Sequence, residues 1–349
     1  MWKDTKYLIA YLLPLSCWFG LQNGGYWSPG AFYVAFGILP FLELFLPKST
    51  ENNDPEIEEK RSNTFIFDLL LWLNIPIVYA SFFFLFYQIQ QTNISGWEIP
   101  FSILNVGMVA GSCGINVAHE LGHRSNKFEQ LLSKILLLPE LYMHFFIEHN
   151  LGHHKNVATD ADPATSRLGE TLYAFWFRSV KDSWLDAWKL ETQRLEKAKN
   201  SFWSLKNEML VFQTIQIIYL TAIAYFFSLE IMLYGIATAI IGFLLLETVN
   251  YIEHYGLQRE LLPNGRYENV LPRHSWNSDH ELGRIFLYEL TRHSDHHYKS
   301  TRKYQILRHF DESPQLPAGY PGSMWLSLFP PLWFSVMDKN LSLQVQKNT

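Results

Sequence analysis

The sequence predicts an all-α, polytopic membrane protein: six transmembrane helices and a helical cytoplasmic region that carries a histidine-rich metal site. Three observations predict it. Six apolar runs are long enough, or nearly so, to cross a hydrocarbon core, which takes about 20 helical residues. Lysine and arginine are absent from every second connector between those runs. Nine of the 13 histidines fall in four short clusters, each at or near the same end of an apolar run.

The runs lie at 7–21, 31–46, 65–87, 101–118, 210–227 and 231–247. The first two are short and are interrupted by Pro14 and Pro40. Membrane helices tolerate such prolines where neighbours re-satisfy the backbone. The first run lacks a small-residue cleavage site, so it reads as a span and not as a leader. No Lys or Arg occurs between Lys6 and Lys48, between Arg61 and Arg124, or between Lys206 and Arg259. The basic residues therefore share one side if there are six crossings. The positive-inside rule makes that side the cytoplasm, with both termini in it. A soluble helical protein has no reason to sort its cations in this way.

The polar blocks 119–209 and 248–349 are then both cytoplasmic, and the whole chain, 1–349, reads as one membrane-embedded catalytic domain. Loops are expected at Asp162-Pro163 and Asn264-Gly265. Pro314, Pro317, Pro321, Pro330 and Pro331 argue against long helices near the end. A net charge of −5 gives no reason to expect nucleic acid as a partner. Cys17 and Cys113 lie in apolar stretches and read as small core thiols. Two cysteines cannot supply a four-thiolate iron site.

The histidine clusters are HELGHR (His119, His123), EHNLGHH (His149, His153, His154), NYIEHYG (His254) and RHSDHH (His293, His296, His297). Residues four apart project from one face of a helix, about 6 Å from each other. His119/His123, His149/His153 and His293/His297 have that spacing. Imidazole suits zinc, copper, iron and nickel. A single tetrahedral zinc takes three or four ligands. Nine imidazoles suit two metals with coordination positions left open. HELGH alone spells a zinc-peptidase helix. A peptidase, however, leaves six of these histidines without work. His144 and His309 read as structural, and His274 and His280, around SWNS, as candidates to support the ligands. The acids Glu120, Glu148, Glu253 and Asp295 are each adjacent to a predicted ligand and point about 100° away from it on a helix. They are placed to hold the N–H of a histidine on a neighbouring helix. Asp160 and Asp162 are similar candidates.

These patterns resemble the alkane 1-monooxygenase family, an integral-membrane non-haem di-iron alkane hydroxylase family. The resemblance rests on HELGHR, EHNLGHHKNVATDADPATSR, NYIEHYGL, SWNS, RHSDHH, YQILR and LPAGYPG…PPLWFSVMD, and runs from about Ala118 to Asp338. NYIEHYG separates it from desaturases and sterol hydroxylases, which share only a histidine skeleton and form the alternative reading. A non-enzymatic metal-binding transporter or sensor is a more distant alternative, and the near absence of ionisable residues at mid-span argues against it. One small departure is Asp279, where an Asn is more usual.

The resemblance implies two iron ions held by His119, His123, His149, His153, His154, His254, His293, His296 and His297. It implies O₂ and two electrons spent on hydroxylating a terminal methyl of a medium- to long-chain alkane. The electrons come from rubredoxin, itself reduced by rubredoxin reductase and NADH. The location implied is the bacterial cytoplasmic (inner) membrane. The chemistry agrees: an unactivated C–H bond has no acidic proton and no charge to stabilise. A metal must carry the hard step while protein supplies position and dryness. The resemblance also places a wall of the substrate channel in the second run, at Ala35 beside Phe36. Glu43, in the same run, is an acid at membrane depth. Lys181, Lys189, Arg194 and Arg302 are candidate docking cations for an acidic rubredoxin.

Overall fold

A computed structural model of the chain describes residues 2–348. Every regular element among them is helical, as lipid requires of a chain that must satisfy its own backbone. Four helices are long and apolar enough to cross a membrane: Phe65–Gln90, Ile99–Gly122, Glu208–Phe226 and Leu229–His254. They coincide with the third to sixth predicted runs and extend most of them, the last by seven residues, from Glu247 to His254. Glu208–Phe226 turns Ile217, Ile218, Tyr225 and Phe226 outward, a face that suits hydrocarbon.

The first two runs differ from expectation in length. Leu12–Asn23 follows a tighter 3₁₀ stretch, Trp2–Tyr11, and the two together are about 38 Å long at about 2.0 and 1.5 Å per residue. Gly30–Glu43 is about 21 Å long by the same rise, short of a hydrocarbon core of about 30 Å. Its middle, Tyr33–Ile38, is wound in the wider π form.

Contacts gather the chain into two compact units: Met1–Gly37 with Ile66–Gly152 and Ser183–Leu246, and Ile38–Phe65 with His153–Asp182 and Glu247–Thr349. In the first unit buried polar side chains tie the helices together. The Asn105 carboxamide accepts from the Ala31 N–H (2.7 Å) and donates to the Cys17 carbonyl (3.0 Å). The Gln88 amide donates to the Leu21 carbonyl, and the Trp18 indole to Ser81 Oγ. A Cβ on Gly30 would sit 2.3 Å from the Ser16 carbonyl oxygen, so only glycine lets the second run lie against the first. Cys17 and Cys113 are buried free thiols, as expected.

The second unit is irregular between 255 and 280 and is held by side chains that satisfy loop backbone. Arg292, almost fully buried, donates to the carbonyls of Ser49, Glu51 and Leu307. The Trp276 indole donates to the Tyr255 carbonyl, and Tyr255 Oη to Asp338. Its end departs from the expectation of irregular chain: Tyr320–Ser327 and Pro330–Asn348 are helices. Pro321, Pro330 and Pro331 each fall in a first turn, where the missing N–H has no intrahelical acceptor to lose.

Candidate metal centre

In the first unit, His119 and His123 stand at the C-terminal end of the Ile99–Gly122 helix, four residues apart, with ring centroids 5.0 Å apart. His149 joins them. Its ring lies 4.4 Å from that of His119 and 5.0 Å from that of His123, and the Nε2 atoms of His149 and His123 are 3.0 Å apart. Phe145 stacks on His149 at 4.6 Å and fixes the plane of that ring.

In the second unit, His153, His254, His293 and His297 are all buried, and each offers a ligand atom within 4.8 Å of those of the others. His153 Nε2 is 3.2 Å from His297 Nε2, and His293 Nε2 is 3.2 Å from His254 Nε2. The same unit pairs His154 with His296, Nε2 to Nε2 at 3.1 Å. His293 and His297 meet on one short helix, His293–Tyr298, with rings 4.4 Å apart.

The expectation that His149 and His153 share a face is corrected. Residues His149–His153 form a wide π turn, so a spacing of four is not one turn there. His149 packs with His119 and His123, whereas His153 packs with His254 and His297.

Two acids approach rings in these sets. His153 Nδ1 is 2.8 Å from Asp162 Oδ2, which leaves Nε2 to face the other rings. The same carboxylate accepts from Thr165 Oγ1 and the Ala164 N–H. Burial works to raise the Asp162 carboxyl, but the facing His153 and the Thr165 hydroxyl outweigh it and hold the group below its usual value. Glu253 Oε2 lies 3.2 Å from His293 Nε2, and its Oε1 accepts from Tyr320 Oη at 2.6 Å. Burial, with four neighbouring histidines, pushes His297 well below the usual imidazole value. The ring is thus neutral and keeps a lone pair for a metal.

The other candidates have different partners. Glu120 pairs at 2.8 Å with Arg124, which lies just past the end of its helix. Asp295 is clamped by Arg302 and Arg308, at 3.2 and 3.1 Å. Glu148 presses on Gly152, where a Cβ would lie 2.8 Å from its Oε1. Asp160 is exposed, and His274 is held by Glu268 at 3.0 Å. His280 takes Ser278 Oγ as partner, and His309 takes Asp279 and Asp311. Ala35 and Phe36 are half-buried, with Phe36 stacked on Phe32. Glu43 is buried against Gly283 and Gly319. Arg302 is committed to Glu58 and Asp295 and Arg194 to Glu191, whereas Lys181 and Lys189 are exposed. The sequence reading missed Thr165 and Tyr320. Both fall inside motif stretches, DADPATSR and LPAGYPG, that carried the resemblance.

Convergent imidazoles, one of them oriented by a carboxylate, form a donor set that fits iron and other imidazole-loving metals. Fold and site together define a helical membrane protein with histidine-clustered metal sites. The sequence profile described as "Fatty acid desaturase" matches residues 95–326. Over 338 residues the chain is 38% identical to alkane 1-monooxygenase 1 of Alcanivorax borkumensis, covering 97% of this chain and 82% of that protein. It is 39% identical over 341 residues to an alkane 1-monooxygenase of Pseudomonas putida, covering 96% and 85%. It is also 28% identical over 336 residues to the xylene/toluene monooxygenase hydroxylase component XylM of Pseudomonas putida, covering 94% and 87%. The chain belongs to the alkane 1-monooxygenase family, within the wider fatty acid desaturase family.

Proposed function

We propose that this protein hydroxylates the terminal carbon of medium- to long-chain alkanes at two iron ions held by its nine clustered histidines. The balance is RCH₃ + O₂ + 2 e⁻ + 2 H⁺ → RCH₂OH + H₂O. The iron ions, when bound, supply the activation of O₂ that no side chain provides. The protein's own residues hold, orient and exclude. The rings of His153, His254, His293 and His297 would present their Nε2 atoms to one iron, and Asp162 fixes the tautomer of His153 by accepting from Nδ1. Tyr320 holds the Glu253 carboxyl beside His293. Glu120, Glu148 and Asp295 act one step further out, by fixing helix ends and loops next to ligands. The buried, aromatic surroundings keep bulk water away from the reacting carbon.

The alkane enters from the bilayer, and Ala35 beside Phe36 forms part of the channel wall. Electrons come from NADH through rubredoxin reductase and rubredoxin. The chain works as one catalytic domain, crosses a bacterial cytoplasmic membrane six times, and keeps both termini and the histidines on the cytoplasmic side.

The observation that carries this reading is the convergence of His153, His254, His293 and His297, buried and oriented, in a chain whose relatives at 35–39% identity are alkane 1-monooxygenases. The test is to supply n-alkanes of graded length to membranes holding this protein, with NADH, rubredoxin and its reductase. Mass spectrometry of the products and iron analysis are the readouts. The expected result is 1-alkanols that require O₂ and reductant, with two irons per chain. Alkenes as products would favour a desaturase, and zinc at one per chain would overturn the reading. Ala35→Trp is expected to shift products toward shorter alkanes, and an unchanged chain-length profile would remove Ala35 from the channel wall.

A further inference from the structure

The loop 198–207, in the first unit, leads into the helix Glu208–Phe226 and plays no part in the chemistry described above. Within it Trp203 is 80% and Leu205 93% exposed, and exposed apolar side chains that cluster mark a surface that meets something other than water. The loop is nevertheless tightly held. Asn207, fully buried, caps the following helix by accepting from the Leu210 N–H, and its amide donates to the Phe202 carbonyl. The Asn207 N–H bonds the Ser204 carbonyl, and Arg194 donates to the carbonyl of Lys206. Phe202 stacks on Trp188 at 5.9 Å and meets Trp203 edge-on at 5.2 Å. A fixed backbone thus presents these apolar side chains outward.

Between loop and helix lies an open groove of about 570 Å³, lined from the loop by Trp203 and Leu205 and from the helix by Leu210, Val211, Thr214 and Ile215. The hydroxyls at its edge are already used. Ser204 donates to the Ser201 carbonyl and Thr214 to the Leu210 carbonyl, so the groove offers a ligand little but hydrocarbon. Its helix wall is the first two turns of Glu208–Phe226, about 10 Å along the axis. Ile218 stands one turn above Thr214 and Ile215, on the outward face that suits hydrocarbon. The groove therefore continues the bilayer-facing surface of a membrane-length helix, at the end where interfacial tryptophans collect.

Charge decides which hydrocarbon fits. Lys197, Lys199 and Lys206 are exposed around the loop. Lys206 follows Leu205 in the groove wall, and its Nζ donates to the Asn200 side chain at 2.9 Å, which draws the two basic ends of the loop together. Of the acids close in sequence, Glu191 pairs with Arg194 and Glu208 with Lys134, both at 2.7 Å. Against the three lysines stands one exposed acid, Glu196, so the rim is net positive. An apolar slot under a cationic rim is the complement of a lipid with a negative headgroup. We propose that this groove holds one acyl chain of an anionic glycerophospholipid, whose phosphate lies against Lys199 and Lys206. Trp203 and Leu205 then stand in the bilayer interface and not in water. This rests on the reading above that puts 199–206 on the cytoplasmic side, where the leaflet carries anionic lipid, and it is independent of the iron chemistry.

The probe is phosphatidylglycerol with a photoactivatable diazirine in one acyl chain, added to the whole protein in detergent. Mass spectrometry of the digest after illumination locates the adducts, which are expected within 203–215. Unlabelled phosphatidylglycerol should displace the probe at roughly 30-fold lower concentration than phosphatidylcholine, since each lysine near a lipid surface contributes roughly fivefold. Lys199→Gln with Lys206→Gln should bring the two competitors level while the iron content stays at the wild-type value. Thr214→Trp should fill the groove and remove the adduct. Equal competition by the two lipids in the wild type overturns the proposal, as does a preference that survives the double substitution. Adducts spread evenly over the outward faces of the membrane-length helices overturn it too, and so does a second copy of the chain covering 203–215, seen as a dimer by native mass spectrometry. If Thr214→Trp does not fold, the adduct map and the competition decide. Binding needs no turnover, so a protein that forms no alcohol loses the reading of function and not this one.

Discussion

Asp162 shows how a single side chain sets the chemistry of a ring. It accepts from His153 Nδ1 and from Thr165, so the ring's other nitrogen is the one left for metal. Asp162→Ala should weaken iron binding by roughly 10–100-fold. This is measured as iron retained per chain during titration with a chelator, and retention at the wild-type level would show that Asp162 does not orient a ligand. His144 gives the sign of an acid effect. Its folded value is about 3 against 6.5 for the free side chain, so between those values the unfolded chain binds more protons. The stability that His144 contributes is complete above about 6.5 and is lost as pH falls through that window. In metal-free protein, His144→Phe should flatten the acid limb of a plot of unfolding midpoint against pH; an unaltered limb would place the titration elsewhere. At this scale the histidines that converge were legible, because histidines at spacing four are rare by chance. Partners of the acids were less so. Asp295 was expected to hold a histidine, yet it serves Arg302 and Arg308, which arrive from a loop whose path no local pattern encodes.

Elements were readable where one periodicity ruled and less so where the chain leaves it. The four long spans coincide with their apolar runs because length and hydropathy decide them. The π turn at His149–His153 was not legible, since the same letters in an α-helix would place both rings on one face. Prolines near the end read in the sequence as breakers, but in a first turn they start helices. The first two runs depend on a tie that hydropathy does not display. Asn105 lies wholly buried in the Ile99–Gly122 helix and bonds the backbone at Ala31 and Cys17. Asn105→Leu removes both bonds and leaves the buried Ala31 N–H unpaired, while the Cys17 carbonyl keeps its place in the ladder of the Leu12–Asn23 helix. It should cost about 1–3 kcal/mol for the one donor left unsatisfied. Thermal unfolding in detergent measures this, and a midpoint equal to wild type would mean that the first two runs are held by packing alone.

For the whole molecule, the sorting of cations predicts orientation, and the length and outward faces of the first two runs predict the number of crossings. Phe65–Gln90, Ile99–Gly122, Glu208–Phe226 and Leu229–His254 are long and apolar enough for four crossings. If the first two runs cross together or not at all, the total is even and the termini share a side in both cases. The charges cannot choose, because the connector 22–30 carries no Lys or Arg under either count. Length argues weakly against a second crossing, since about 21 Å is less than a hydrocarbon core. A bilayer, however, thins around a short helix at a modest cost per ångström. Outward-facing Leu8, Leu12, Leu15 and Phe19 on the first run, and Ile38, Phe41 and Leu42 on the second, would leave a large apolar surface in water if the hairpin stayed outside the bilayer. That weighs more than the mismatch, so six crossings are expected. Tyr26, in the connector and 87% exposed, reports the answer. Tyr26→Cys should react with a membrane-impermeant maleimide from the outer face of sealed vesicles or spheroplasts, against a low background because Cys17 and Cys113 are buried. Reaction only after the membrane is opened would put the hairpin tip inside. The count would then be four, and the channel wall at Ala35 would have to be abandoned.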